Sequence, residues 1–304
     1  MKKRVFITGG AGLIGLALAK HLISNGHQVV LFDLAEQFSR RNEELRELGS
    51  NENVEIVVGT IMDRWAVGLA AANCNVVVHL AAMLGVKRTE DNRLQCMDIN
   101  VNGTENVLNA CVQNNVGHIL LASSSEVYGE PSMNPVNESV ETKGKTVYAV
   151  SKMAAEELVI GFNQIKPTLK YTIIRFFNTY GEGQVAQFVI SKLVRQVLNN
   201  QNPTVYGSGS QVRSFCHVSD TVQGLGSIIN KPVSQNKIYN IGNSKPTDLD
   251  NFIKYLENIL EKKAILNYLP KQLGDVEDTL ADISKINIDF GYSPKTDLYE
   301  GLEK

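Results

Sequence analysis

Short runs of β-branched and aliphatic residues alternate with segments of helical period through the first half of the chain. Val5-Phe6-Ile7, Val29-Val30-Leu31-Phe32, Val54-Glu55-Ile56-Val57-Val58, Val76-Val77-Val78, Ile119-Leu120-Leu121 and Tyr171-Thr172-Ile173-Ile174 predict six buried strands. Near-continuous apolar strands joined by helices form a parallel sheet covered on both faces. Between the first two strands Leu13, Ile14, Ala17, Leu18 and Leu22 recur at helical spacing, and Gly26 follows as the helix C-cap, which makes a βαβ unit. After Asn178 the rhythm changes. One long helix over roughly 186–200, short strands near Val205 and Ile238, a helix over about 219–230 and an amphipathic helix marked by Leu249, Phe252, Ile253, Leu256 and Leu260 predict a smaller lobe, with some segments returning to the main domain.

The 304 residues suffice for one large α/β domain with an appendage, or two modest domains, burying about three quarters of the unfolded surface. A net charge of −2, with Lys and Arg scattered, argues against a nucleic-acid footprint or a membrane-surface patch and leaves a small charged metabolite as the easier partner. Cys74, Cys96, Cys111 and Cys216 lie far apart without metal-ligand spacing, so no metal site and no disulfide frame is expected, which fits a cytoplasmic protein. The basic start Met1-Lys2-Lys3-Arg4 is followed by an apolar run that Gly9-Gly10 breaks too soon for a signal peptide, and no later run is long enough to span a bilayer.

Gly10-x-Gly12-x-x-Gly15 follows a strand and opens a helix. Glycines there let the backbone turn tightly and approach a pyrophosphate, whose charge meets the free N–H groups of the helix start. Asp33 ends the second strand about twenty residues on, where a carboxylate accepts both ribose hydroxyls and repels a 2′-phosphate, so NAD is favoured over NADP. Asp63, after the third strand, is placed either to hold the adenine amino group or as a surface acid. These features give the expected fold class: α/β, a Rossmann-type doubly wound parallel sheet over residues 1–177 with returning segments near 214–242, and a smaller C-terminal substrate-binding lobe over most of 178–304.

Tyr148 and Lys152 stand four residues apart, some twenty residues after Ser123-Ser124-Ser125. With ten Tyr and twenty Lys in 304 residues, chance supplies such a pair about 0.7 times, so the context carries the meaning. On one helix face the ammonium lowers the phenol's pKa; moving a Tyr from about 10 to near 7 takes about 4 kcal/mol, to which the positive nicotinamide ring also contributes. The phenolate then acts as general base, with Ser124 hydrogen-bonding the same substrate oxygen.

Taken in order, Thr8-Gly9-x-x-Gly12-x-x-Gly15, His79-Leu80-Ala81-Ala82, Asn100-x-x-Gly103-Thr104, Ser123-Ser124-Ser125-Glu126-Val127-Tyr128-Gly129, Tyr148-x-x-x-Lys152, Arg175-x-Phe177-Asn178-x-Tyr180-Gly181 and Arg213-Ser214-Phe215-x-x-Val218-x-Asp220 resemble the extended short-chain dehydrogenase/reductases of the NAD-dependent nucleotide-sugar epimerase/dehydratase group over nearly the whole chain. The resemblance implies that Ser124, Tyr148 and Lys152 are catalytic, with Lys152 also on the nicotinamide ribose. It extends the cofactor-binding set to Gly9, Gly12, Leu13, Ile14, Gly15, Asp33, Ile61, Asp63, Leu80, Ala81, Ala82, Asn100, Tyr148 and Lys152. For substrate it implies Lys87, Ser124, Ser125, Asn178, the Val205-Tyr206 backbone and Arg213 around a nucleotide diphosphate, since a guanidinium suits bidentate phosphate contact. The tail from Gly274-Asp275-Val276 through Asp282-Ile283-Ser284-Lys285 to Gly291-Tyr292-x-Pro294 resembles the C-terminal lobe of UDP-sugar 4-epimerases, including those acting on glucuronate.

Two departures bear on the reaction. Many relatives continue the Tyr-Gly element with Pro-Arg, whereas Glu182-Gly183 here removes a sugar-site cation and weakens the case for an acidic sugar. Glu126 stands where simple epimerases have Ala, Thr or Ser; a carboxylate there does acid/base work in dehydratases and decarboxylases, so it is read as a further catalytic candidate or as a cofactor-side carboxylate. The expected activity is NAD-dependent 4-epimerisation of a UDP-hexose or UDP-hexuronate, in polysaccharide biosynthesis. Dehydratase, decarboxylase and net 4-dehydrogenase chemistry remain alternatives, as does a silent dinucleotide-binding module. The helices around 103–115 and 149–163 carry enough apolar positions to pair with their copies as a four-helix bundle, so a homodimer is expected.

Overall fold

The structure is a computed structural model and describes residues 2–209, 211–270 and 278–304; the Gly274-Asp275-Val276 element lies outside the described residues. The main sheet has seven strands: β1 (Arg4–Thr8), β2 (Gln28–Asp33), β3 (Val54–Val58), β4 (Val76–His79), β5 (His118–Ser124), β6 (Lys170–Phe176) and β7 (Lys237–Ile241). Their order is β7-β6-β5-β4-β1-β2-β3, and each neighbouring pair runs parallel. The order turns back at β1, so the crevice beyond the carboxyl ends of β1 and β4 is where such a sheet takes a ligand.

Side chains alternate along the strands and fill two cores. Val5, Ile7, Val29 and Leu31 face the helices Leu13–Ser24 and Val218–Ile229. Phe6, Val30 and Phe32 face the helices Arg64–Ala70, Gly103–Gln113 and Val147–Ile165 on the other side. Phe6 and Phe32 meet edge to face with ring centres 5.6 Å apart. The first helix ends as the spacing predicts, with Gly26 at φ +78° one residue past the cap.

Two expectations need correction. The strand Val54–Val58 is not buried: it is the sheet's edge, and Val58 is 59% exposed. Its apolar run matches that of an inner strand, and only its place in the strand order leaves it uncovered. The helix expected over 186–200 runs Val189–Leu198, because Phe188 is still extended.

Beyond Asn178 the chain leaves the sheet and returns as β7, which pairs with β6. The remainder packs Val189–Leu198 against Leu249–Leu260 over Ile190, Leu193, Val197, Val205, Phe252 and Leu256. Asp248 caps the second of these helices by accepting the Asn251 N–H at 2.7 Å. Thr204–Tyr206 pairs in parallel with Asn267–Leu269 beside it.

Candidate active site

The turn after β1 is shaped by its glycines. Gly9 adopts φ +71° and its carbonyl accepts the Gly12 N–H at 3.0 Å. A Cβ on Gly15 would stand 2.3 Å from that carbonyl oxygen, and one on Gly9 would stand 2.8 Å from the Ala81 nitrogen. The helix start at Leu13 and Ile14 and the Leu80-Ala81-Ala82 segment approach this turn only because these positions lack side chains. Among the described residues no side chain caps that helix, which leaves its first N–H groups for an anion.

Asp33 ends β2 over this turn. Its Oδ2 accepts from the Ala11 N–H at 3.0 Å and its Oδ1 from the Leu34 N–H at 2.8 Å. Burial raises its pKa, and these two bonds oppose the rise. Beneath the turn, His79 is buried between the Thr8 hydroxyl at 2.7 Å and the Thr104 hydroxyl at 3.0 Å. Burial drives its pKa down to about 3, so it is a neutral strut. The Ile61 side chain is packed in the core under Gly103, and the Asn106 amide donates to its carbonyl at 3.0 Å. Asp63 is exposed and caps the helix Arg64–Ala70, its Oδ1 accepting from Trp65 and Ala66 N–H groups. This helix-capping duty occupies Oδ1.

The reactive groups meet at the carboxyl end of β5. Thr146 caps the helix Val147–Ile165 by accepting the Ala149 N–H at 3.1 Å, and Glu90 accepts the Val147 N–H at 2.8 Å. Tyr148 and Lys152 follow one turn apart on the face toward the sheet. Ser124 ends the strand beside them, its Oγ accepting the Glu126 N–H at 3.2 Å, and its hydroxyl acts to lower the Tyr148 pKa. Lys152 is 4% exposed; its Nζ lies 5.8 Å from the Tyr148 ring centre and donates to the Ala122 carbonyl at 2.8 Å. Ser125 opens the short turn Ser125–Tyr128, which carries Glu126, and the Thr146 hydroxyl donates to Glu126 Oε2 at 3.2 Å.

The electrostatics differ from expectation. Burial raises the Tyr148 pKa above that of an ordinary phenol, the Glu126 carboxylate raises it further, and the Ser124 hydroxyl opposes both. The protein alone therefore does not lower this phenol. Burial brings Lys152 down to about 8, which leaves its ammonium protonated at neutral pH.

The other expected residues are spread around this centre. Asn100 is 2% exposed; its amide exchanges hydrogen bonds with the Met83 backbone at 2.7 and 3.0 Å and donates to Ser151 at 2.9 Å. It ties the segment after β4 to the helix bearing Tyr148. Asn178, at φ +37°, donates to the Ser214 carbonyl at 3.1 Å, which joins the end of the sheet to the smaller lobe. Val205 points into the lobe core, so only its backbone is offered, and the Tyr206 ring lies under Lys192 Nζ at 4.6 Å. Arg213 is half-buried on a short strand beside Thr247–Asp248, whereas Lys87 is exposed on the helix Val86–Asp91.

Sequence reasoning assigned no role to Glu156 and Arg175. Their carboxylate and guanidinium pair bidentately at 3.0 and 2.7 Å, both nearly inaccessible, and the Ser123 hydroxyl donates to the same carboxylate. Arg175 also stacks on Tyr128, whose hydroxyl donates to Asn240 at 2.7 Å. The signal was the helical stripe itself, for Glu156 continues the series 148, 152.

A neutral strut, a glycine cradle and a phenol, hydroxyl and ammonium converging beyond the carboxyl ends of β1 and β5 make an α/β protein built for chemistry on a hydroxyl-bearing carbon. The chain belongs to the NAD dependent epimerase/dehydratase family, whose model matches residues 5–242. It is 31% identical over 331 aligned residues to Protein CapI of Staphylococcus aureus, covering 99% of this chain and 96% of that one. It is 30% identical to UDP-glucuronic acid decarboxylase 1 of Danio rerio, covering 100% of this chain and 72% of the relative. The crystal structure of UDP-glucuronic acid 4-epimerase from Bacillus cereus with UDP-glucuronic acid and NAD matches with a TM-score of 0.93 at 28% identity, covering 99% and 96% of the two chains. No helix among the described residues is long and apolar enough to cross a membrane.

Proposed function

We propose that the protein is an NAD-dependent nucleotide-sugar 4-epimerase acting on a UDP-linked hexose or hexuronate. The observation that carries this reading is the convergence of Ser124, at the carboxyl end of its strand, with Tyr148 and the buried Lys152 one helical turn apart, beside a turn whose glycines fit a pyrophosphate. Leu13, Ile14, Gly12 and Gly15 would hold the pyrophosphate, Asp33 the adenosine ribose and Lys152 the nicotinamide ribose. When bound, NAD supplies the acceptor and donor for the C4 hydride. Tyr148 takes the proton of the C4 hydroxyl, Ser124 fixes that oxygen, and the buried Lys152 charge favours the phenolate. Tyr148 later returns the proton to the C4 oxygen as the hydride comes back to the opposite face of the 4-keto sugar. Asn178, Val205, Tyr206 and Arg213 are assigned to the nucleotide diphosphate, and Lys87 to the rim. Asp33→Ala should weaken NAD binding by about 10- to 100-fold, the value of a charge-assisted hydrogen bond, and relax discrimination against NADP. Calorimetric affinity for NADP equal to that for NAD in the unmutated protein would remove Asp33 from this role.

Glu126 favours a second reading, because its carboxylate acts on Tyr148 and several relatives are named decarboxylases. The two readings separate in heavy water with a panel of UDP-, dTDP-, GDP- and CDP-sugars. On the epimerase reading the product carries no deuterium on carbon, no carbon dioxide is released, and Glu126→Gln costs less than about tenfold in rate. Deuterium at C5, or release of carbon dioxide together with a collapse of rate in Glu126→Gln, would move the assignment to a dehydratase or a decarboxylase.

We also propose a homodimer formed through the helix Val147–Ile165. Exposed Val150 and Ile165 on this helix, with Leu94 at 88% exposure beside its start, support that face. The outward face of Gly103–Gln113 is more polar than the sequence suggested, with Glu105 and Gln113 exposed, so the apolar contribution falls mainly on the longer helix. Light scattering should report twice the chain mass at micromolar concentration, and a monomer there would refute the dimer.

A further inference from the structure

Residues 181–188 form a strap that leaves the sheet after Tyr180 and meets the loops on both sides of the glycine turn. Gln184 Nε2 donates to the Thr179 carbonyl at 2.8 Å, and the Ser191 hydroxyl donates to the Val185 carbonyl at 2.7 Å, so the strap is pinned at its base on either side. One contact lies after β2, where Arg41 NH2 donates to the Gly183 carbonyl at 2.7 Å across 142 positions of sequence. Arg41 NH1 is oriented by Glu44 Oε1 at 3.1 Å, and the Arg41 side chain is only 13% exposed. The guanidinium sits where a side chain on residue 183 would be: a Cβ there would fall 1.6 Å from NH1, and Gly183 has φ +78°. The other contact lies after β4, where the Gln187 amide comes within 3.0 Å of the Cβ position of Gly85. The strand β1, which leads into the glycine turn, lies between β2 and β4.

We infer that Arg41 is a positioning residue that clasps this strap across the mouth of the cofactor crevice and so keeps the dinucleotide resident between turnovers. The inference rests on the NAD-dependent reading above. Departure of a dinucleotide from the glycine turn requires the strap to lift, which breaks the Arg41–Gly183 bond and exposes the Gln187–Gly85 contact. Retention matters to an isomerisation, since the hydride removed from a sugar must return to that same sugar. It explains why Glu182-Gly183 stands where a larger residue is common, because a residue with a Cβ at 183 would expel the guanidinium.

The test uses protein carrying its resident NAD, challenged with excess isotopically labelled NAD, with exchange followed by mass spectrometry of the protein-bound nucleotide. Arg41→Ala and Gly183→Ala should each speed exchange by about tenfold or more, as expected for losing a charge-assisted bond that holds a lid closed. The melting temperature of the NAD-free protein should change little in Arg41→Ala, whereas Gly183→Ala, which puts a side chain at φ +78°, should lower it by about 2–4 °C. Exchange at the unmutated rate in both variants would overturn the strap alone. So would faster exchange in Arg41→Ala matched by an equal loss of stability in its NAD-free form, or a change confined to NADP affinity, which would make Arg41 a reader of the ribose. Unmutated protein that binds no dinucleotide would overturn the NAD reading and the strap together.

Discussion

Tyr148→Phe should lower turnover by about two to four powers of ten while leaving UDP binding intact, because only the proton transfer to and from the C4 oxygen is lost. The phenol starts from an unfavourable place. Burial and the Glu126 carboxylate hold its pKa above the ordinary value, so reaching neutrality takes more than the about 4 kcal/mol needed from a free tyrosine. Lys152, with a pKa of about 8, supplies one positive charge, and the bound cofactor ring supplies the other. The sign follows for pH: Lys152 is protonated below about 8 and neutral above it, so turnover should fall as pH rises past that value. Titration of the phenolate absorbance, with Tyr148→Phe as blank, checks the account. An unchanged Tyr148 signal on adding NAD, or a variant retaining more than a tenth of the rate, would count against Tyr148 as the base.

Glu156→Ala should destabilise the fold by about 3–5 kcal/mol, the cost of leaving one member of a buried pair without its partner. Arg175 would keep its charge in a site where its side chain is 5% exposed, and the Ser123 hydroxyl would lose its acceptor. The pair bridges the helix of Tyr148 and Lys152 to β6, so its loss should also loosen the catalytic helix. Denaturant unfolding measures the effect directly. Replacing both partners by apolar residues of similar volume should cost much less than Glu156→Ala alone, and a loss below 1 kcal/mol in the single variant would mean that the pair is relieved by solvent.

What the sequence determined by itself is chemistry held in contiguous residues. The turn from Gly9 to Gly15 needs glycine because of contacts made within a few residues, chiefly between Gly15 and the Gly9 carbonyl. The spacing of Tyr148 and Lys152 sets them on one helix face in any context, and Asp33 follows from ending an apolar strand. Tertiary structure decided everything that depends on which distant surfaces meet. Strand order leaves Val54–Val58 at the edge although its composition is that of an inner strand. Residues 182 and 183 look like a simple loss of a cation until Arg41, far away in sequence, is found on the Gly183 carbonyl. The helical stripe through Glu156 was legible, but its meaning waited on Arg175 from another strand. The Tyr148 pKa was the hardest to foresee, because a shift is the sum of burial and all neighbouring charges, and a motif of five residues contains neither the desolvation nor Glu126.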